Sequence, residues 1–387
     1  MATMSLPLPA PARAVAEHTR FDPVFVLGHP RSGTSLMCRL LLDHLGVNFG
    51  TESQFMIRYY KRLHKYGDLR DDRCLRWLFE EIGRERFFER TRRNFGFVLD
   101  VDRAMRSITS RSYAGVLQAI FEQFAIGKGM TRWGDKTPEY ASHLPVLREL
   151  FPTAQYVHVV RDGRDVALSA FRTGFGPKNA HEAAIAWARQ VRAIAAFGDT
   201  VPADDFLTIR YEDLLREPVA TLGTLGAFLG IANHADVLDT VAPGLRTQVR
   251  QDNTGKSTHL LSARETECFE ALAGDVLTRH GYGLRSGPGA RPMTVAESVN
   301  WRAKGMWRRA TNRRYWADNR YKLGLRGRAL MLALRRPVQE RPAFARLRII
   351  RSQVVTRSRQ ALRWAVGNAA GDIQEARSIR TLRSRKS

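Results

Sequence analysis

Two short stretches hold residues whose types and spacing suit a phosphate-bearing ligand. The first is Gly28-His29-Pro30-Arg31-Ser32-Gly33-Thr34-Ser35. An apolar run, Val24 to Leu27, precedes it, and Leu36, Leu40, Leu41 and Leu45 follow at helical spacing. Strand, glycine-bounded loop and helix together turn loop N–H groups and a helix N-terminus toward one anion. The phosphate loop of nucleotide triphosphatases spaces its glycines the same way and then carries a lysine. Here Thr34 takes that lysine's place. The loop is therefore expected to hold phosphate without the side chain that reaches a γ-phosphate. A strand–helix turn with no ligand is the plain alternative for so short a pattern.

The second stretch is Arg161-Asp162-Gly163-Arg164-Asp165-Val166-Ala167-Leu168-Ser169. It follows Gln155 to Val160, which reads as a buried strand. Asp162 suits the N-cap of the next helix. Arg161 at the strand end and Ser169 two turns into the helix could then face one anion, with the guanidinium offering a bidentate contact. The alternative is an arginine paired with Asp162 or Asp165 on a surface turn.

The elements that must position these residues follow from periodicity. Strands are predicted at 24–27, 155–160 and 206–210. Helices are predicted at 34–45, 54–66, 71–92, 103–126, 139–150, from 162 to about 172, at 182–197 and at 218–229. Residues 46–51 read as a turn. Strands alternating with helices imply an α/β fold, a P-loop-like parallel sheet with helices on both faces. Ligands of such sheets sit at the carboxyl ends of the strands, where both stretches fall.

Taken together, these motifs resemble the sulfotransferase superfamily, whose donor is 3′-phosphoadenosine 5′-phosphosulfate (PAPS). Pro30-Arg31-Ser32-Gly33-Thr34-Ser35 matches the family's 5′-phosphosulfate loop at every place, and Arg161 with Ser169 matches its 3′-phosphate pair. Gly134-Asp135-Lys136-Thr137-Pro138 looks like the lysine-bearing strand end of tyrosylprotein and related bacterial sulfotransferases. Ile209-Arg210-Tyr211-Glu212-Asp213-Leu214 looks like the wall of the adenine site, and Gly255-Lys256-Ser257 like the segment that closes on the donor. The resemblance covers roughly residues 22–285. It implies donor contacts from Arg31, Ser32, Gly33, Thr34, Ser35, Arg161, Ser169, Tyr211 and Lys256. It further implies a sulfonate contact from Lys136 and metal-independent in-line transfer to a hydroxyl or amine. The plain alternative for Lys136 is a salt bridge to Asp135 or Glu139.

The acceptor must lose a proton, so a base is expected within hydrogen-bond reach. The resemblance points to Glu52, although Thr51-Glu52-Ser53-Gln54 lacks the arginine that follows the acid in the tyrosylprotein enzymes. His64 and His143 are the fallback bases, His158 is expected inside its strand, and Asp135 beside Lys136. The segment from Glu52 to Lys128 is expected to shape the acceptor pocket. A sugar, lipid, small phenol or peptide acceptor fits equally well. Two other readings stay open: a small-molecule kinase with a degenerate phosphate loop, and a non-enzymatic polyanion-binding protein.

Of the formal net charge of +24, the last 102 residues hold most. Residues 286–387 carry 25 Lys and Arg against 5 Asp and Glu, and residues 1–285 carry 37 against 33. That shift coincides with Ser286-Gly287-Pro288-Gly289, so three parts are expected: a disordered 1–20, a catalytic 21–285 and a basic, mostly helical extension 286–387. In the extension, Phe344, Leu347, Ile350, Val354, Ala361 and Ala365 share one side of a notional helix, with Arg348, Arg357, Arg359 and Arg363 off it. A solvated helix ranks first, an anionic membrane surface second, and nucleic acid or another polyanion last. Cys38, Cys74 and Cys268 form no C-x-x-C pair, so neither a disulfide framework nor a zinc site is expected. Residues 1–20 lack a signal-peptide core, and no apolar run approaches a membrane span. A cytoplasmic protein is expected, with the inner membrane surface as a second location.

Overall fold

The computed structural model describes residues 22–130, 132–173, 176–231, 253–287, 289–291, 293–311 and 316. In chain order its elements are β1 (Val24–Leu27), α1 (Thr34–Leu45), β2 (Val47–Phe49), α2 (Met56–Tyr60), α3 (Asp72–Gly83), α4 (Arg86–Phe95), α5 (Val101–Ser107) and α6 (Tyr113–Ile126). Then come β3 (Arg132–Asp135), α7 (Leu144–Leu150), β4 (Gln155–Val160), α8 (Gly163–Phe171), α9 (Ala180–Gly198), β5 (Phe206–Arg210), α10 (Tyr211–Arg216) and α11 (Pro218–Phe228). Beyond residue 252 lie α12 (Ser257–Leu260), α13 (Ala263–Arg279) and α14 (Val295–Thr311). Residues 1–20 and the notional helix from Phe344 lie outside the described residues.

The five strands form one sheet in the order β2-β3-β1-β4-β5, with every pair parallel. Strand period 2 sends alternate side chains to opposite faces. Val24 and Val26 of β1 pack with α1, α10 and α11 through Met37, Leu41, Leu214 and Leu225. Phe25 and Leu27 face the other way, into a larger aromatic layer with Phe121, Trp133, Tyr156 and Ile194. Both faces are therefore covered by helices, as expected for buried parallel strands. Behind β4, Val160 joins Trp187 of α9 and Phe269 of α13 in a third cluster.

The predicted helix over 54–66 is α2 followed by a 3₁₀ turn at Leu63–Lys65, and that over 139–150 opens as a 3₁₀ turn, Pro138–Ser142, before α7. Three further local differences from the sequence reading have physical causes. Residues 47–49, read as part of a turn, form edge strand β2 against β3, with Val47, Asn48 and Phe49 all buried. Three residues between Gly46 and Gly50 are too few to show alternation. The predicted helix over 71–92 is two helices, because the buried set Leu75, Leu78, Phe79, Ile82 resumes at Phe87, out of phase with a 3.6-residue turn. The predicted helix over 103–126 is likewise split. Its second part starts at Ser112, whose side chain accepts the Gly115 N–H.

The chain divides into compact units after Tyr315, so α14 shares the unit that holds the sheet. Glu297 of α14 takes two hydrogen bonds from Arg264 of α13, each 2.8 Å. The breaker at Ser286–Gly289 thus lies inside this unit. No described helix is long and apolar enough to cross a membrane.

Candidate active site

The loop after β1 bends through left-handed backbone at Arg31 (φ 77°) and Gly33 (φ 97°). That conformation is costly for arginine and persists only where surrounding structure enforces it. At Gly33 any side chain is also excluded by space: a Cβ would sit 2.2 Å from the Tyr211 ring. The Ser32 N–H closes back on the His29 carbonyl at 3.0 Å. Gly33 caps α1 without a side-chain hydrogen bond; the Leu36 N–H turns back to the Gly33 carbonyl at 2.9 Å, and the Thr34 and Ser35 N–H groups stand ahead of the first intrahelical bond. Ser32 Oγ is buried without a hydrogen-bond partner. Thr34 is buried and Ser35 is exposed at the same helix end.

Arg31 and Ser169 meet directly, Nε donating to Oγ at 3.1 Å. Arg161 leaves the end of β4, 6% exposed, so it is no surface-turn arginine. It donates to the Asn253 carbonyl at 2.6 Å and the Arg31 carbonyl at 3.4 Å, and lies 3.8 Å from Asp165. Its guanidinium carbon is 4.5 Å from the centroid of the Tyr211 ring, the cation–π range. The Arg161 Nε is buried without a partner. Asn253 ties the group together: it donates to the Tyr211 hydroxyl at 2.9 Å and accepts from Lys256 Nζ at 3.1 Å. Asp165 receives the N–H groups of Gly255 and Ser257, each at 2.7 Å, and so fixes the Asn253–Ser257 segment to the start of α8.

The other two strand ends supply an ion pair. Glu52 follows β2, Lys136 follows β3, and Lys136 Nζ donates to Glu52 Oε1 at 2.5 Å. Lys136 therefore pairs with Glu52, not with Asp135 or Glu139. Asp135 turns inward to Ser53, accepting its N–H at 3.3 Å and its hydroxyl at 3.0 Å. Burial pushes the Asp135 carboxyl up to about 6, against the pull of its bonds from Thr137 and Ser53.

The histidines lie elsewhere. His64 is exposed in a 3₁₀ turn. His143, at the start of α7, sits 2.7 Å from Lys61, and burial with that neighbouring charge lowers its pKa. His158 is inside β4, where burial and then His280 bring it down to about 3. A cavity of about 630 Å³ opens beside Arg31. His29, Pro138, Ala170, Thr173, Arg189 and Gln190 line it with others, and none of its lining comes from residues 52–128.

Asp165, Asn253, Ser53 and Glu212 escaped the functional reading of the sequence. Glu212 accepts the Asp162 N–H at 3.0 Å and the Tyr282 hydroxyl at 2.7 Å. Asp165 had a signal, as a second acid in Arg161-Asp162-Gly163-Arg164-Asp165, and Glu212 lay inside the Ile209–Leu214 motif without a role of its own. The others act through contacts far apart in sequence. Among the described residues, no group of three or more His, Cys, Asp or Glu is placed to hold a metal ion.

The sulfotransferase family matches residues 23–236. Protein-tyrosine sulfotransferase A of Caenorhabditis elegans is 24% identical over 215 residues, 54% of this chain and 50% of that protein. Protein-tyrosine sulfotransferase 1 of Danio rerio is 25% identical over 222 residues, 56% of this chain and 55% of that protein. The chain spans about half the length of these curated relatives. A solved sulfotransferase domain from the curacin biosynthetic pathway has 19% identity and a TM-score of 0.46, covering 68% of this chain and 98% of that one. The family match opens one residue before β1 and runs past β5, so the whole sheet and every strand-end residue described above fall within it, while Asn253 and Lys256 follow it. The chain belongs to the sulfotransferase family.

Proposed function

We propose that this protein moves a sulfuryl group from PAPS to a hydroxyl or amine of an acceptor. When bound, PAPS would supply the sulfuryl group on a phosphate leaving group. One observation carries the reading. Arg31, Glu52, Lys136, Arg161 and Tyr211 leave the same edge of one parallel sheet, each just past the end of a strand or on the loop after it. The groups fit a multiply anionic nucleotide: uncapped amides of α1, a buried unpartnered Ser32 hydroxyl, and cations at Arg31, Arg161 and Lys256.

In this reading Arg31 and the Ser32, Gly33, Thr34 and Ser35 segment hold the phosphosulfate, and Arg161 with Ser169 the 3′-phosphate. Tyr211 and Lys256 flank the nucleoside. Fixed donors aimed at developing charge can lower a barrier by several kcal/mol, the role given to Arg31 and Lys136. Glu52 takes the acceptor proton at Oε2, which the Gln54 amide reaches only at 3.4 Å, while Oε1 is held by Lys136. The relatives' names put a tyrosine-type phenol first among acceptors to try.

The test is mass spectrometry of PAPS incubated with the protein and a panel of tyrosine peptides, phenols, sugars and lipids. Formation of 3′-phosphoadenosine 5′-phosphate (PAP) with a sulfated product, undiminished by excess EDTA, is expected. No binding of PAPS or PAP by calorimetry would overturn the reading, and activity restored only by Mg²⁺ would favour phosphoryl transfer.

A further inference from the structure

We infer that Asp135 and Ser53 form a buried clasp that positions the Glu52–Lys136 pair, making Asp135 a positioning residue for the reaction. The inference rests on the proposed role of that pair. Glu52 and Ser53 are neighbours after β2, and Asp135 and Lys136 are neighbours at the end of β3. Strands β2 and β3 are joined in register only from Val47–Arg132 to Phe49–Gly134. Past Phe49 the ladder stops, so the spacing of Glu52 and Lys136 must be set by something else.

Asp135 and Ser53 supply it. Both Asp135 oxygens are used, Oδ1 by the Ser53 N–H and Oδ2 by the Ser53 hydroxyl. The Ser53 N–H also reaches Thr137 Oγ1 at 3.1 Å, and its Oγ lies 2.8 Å from the Tyr140 hydroxyl. Tyr140 in turn accepts the Met56 N–H at 3.0 Å, pinning the chain where α2 begins. Asp135 is 3% exposed and Ser53 4%. A bond between such groups is shielded from water, and losing one partner leaves the other unsatisfied. The partly buried pair Glu52–Lys136 sits one residue away on each side. It is less shielded, with side-chain exposures of 32% and 17%. An ion pair on long side chains that solvent still reaches fixes the backbone less firmly than a fully buried hydrogen-bonded group. The buried Asp135–Ser53 pair therefore fixes the distance, and the partly buried Glu52–Lys136 pair faces the ligand space.

The charged and titratable groups facing Asp135 are Lys136 and Glu52 from the strand ends, Tyr140 from the turn after β3, and Cys38 from α1. Cys38 and Tyr140 are both pushed upward, chiefly by burial, and stay neutral. Asp135 is then the clasp's own charge in neutral solution.

The experiment compares the full chain with Asp135→Asn, Asp135→Ala and Ser53→Ala by three readouts. The first is the acetylation rate of Lys136 by an N-hydroxysuccinimide ester, followed by mass spectrometry. Buried Lys178, which donates to the Thr173 carbonyl, serves as the control for general loosening. The second is PAP affinity, and the third is turnover of PAPS with the phenol and peptide panel. Lys136 should react several-fold faster in Asp135→Ala and Ser53→Ala while Lys178 does not change. Turnover should fall on the order of ten- to a hundredfold, as for a misplaced reacting group, with PAP affinity retained. Asp135→Asn, which keeps an acceptor for the Ser53 N–H, should recover part of both. The profile of kcat against pH should lose, in Asp135→Asn, a limb near pH 6 present in the wild type. Unchanged Lys136 reactivity in Asp135→Ala would overturn the clasp. So would parallel acceleration at Lys178, which marks a purely structural role. Failure of the wild type to bind PAP or turn PAPS over would sink the sulfuryl-transfer reading, while the lysine rates still judge the clasp.

Discussion

Glu52 and Arg161 are single side chains with opposite proposed roles, the acceptor's base and the 3′-phosphate contact. Glu52→Gln keeps shape and removes the proposed base. Turnover should fall by roughly 10²-fold or more, with PAP affinity nearly unchanged. Steady-state kinetics beside calorimetry checks this, and near-normal turnover would turn attention to another proton acceptor. For Arg161 the measurement is a ratio. The wild type should prefer PAP to 5′-AMP by roughly tenfold to a hundredfold, the worth of a charge-assisted contact. Arg161→Ala should abolish that preference. Equal affinities in the wild type would mean that Arg161 serves only its bonds to Asn253 and the loop after β1.

At the scale of elements, α8 and the Asn253–Ser257 segment behave as one piece because of Asp165. Asp165→Ala leaves the Gly255 and Ser257 N–H groups without their acceptor and unties Lys256 and Asn253 from the site. Hydrogen exchange at Gly255 and Ser257 should quicken, and PAP affinity should drop at least about tenfold, as when a buried charged acceptor is lost. Unchanged exchange would show that another contact holds the segment. This latch marks the limit of what sequence could reveal. The loop after β1 and the Arg161 segment were legible because each is local: apolar strand, glycine, helical spacing. The sheet with two covered faces followed from the alternation of such units. Strand β2 was not legible, being three residues long, and neither was the role of Ser53, whose partners lie 82 and 84 positions away. The partner of Lys136 was missed for the same reason, since periodicity says nothing of which strand ends become neighbours.

For the whole molecule, charge is divided more sharply than structure. Most of the positive charge lies beyond residue 285, yet α14 belongs with the sheet through Arg264 and Glu297. The useful cut is therefore after Tyr315, not after Arg285. A chain ending there should bind PAP like the full chain. If the remaining basic segment docks on anionic lipid, the full chain should co-sediment with phosphatidylserine vesicles at low salt and release as salt rises. The shortened chain should then bind less. If neither form binds the vesicles, the membrane role is wrong.

The order of strands in the sheet also governs how the protein comes into being. Strand β1 meets β3 and β4, whose residues leave the ribosome more than a hundred positions later. Gly28, just past β1, abuts the Val159 carbonyl so closely that a Cβ would lie 2.6 Å from it. The ligand loop is thus translated first and completed late, after a long wait for distant partners. Such non-local pairing slows folding and leaves an unpaired apolar strand exposed in the meantime. A nascent chain stalled before Arg132 would present Val24 to Leu27 with no strand neighbour on either side, a short apolar segment open to capture by a chaperone.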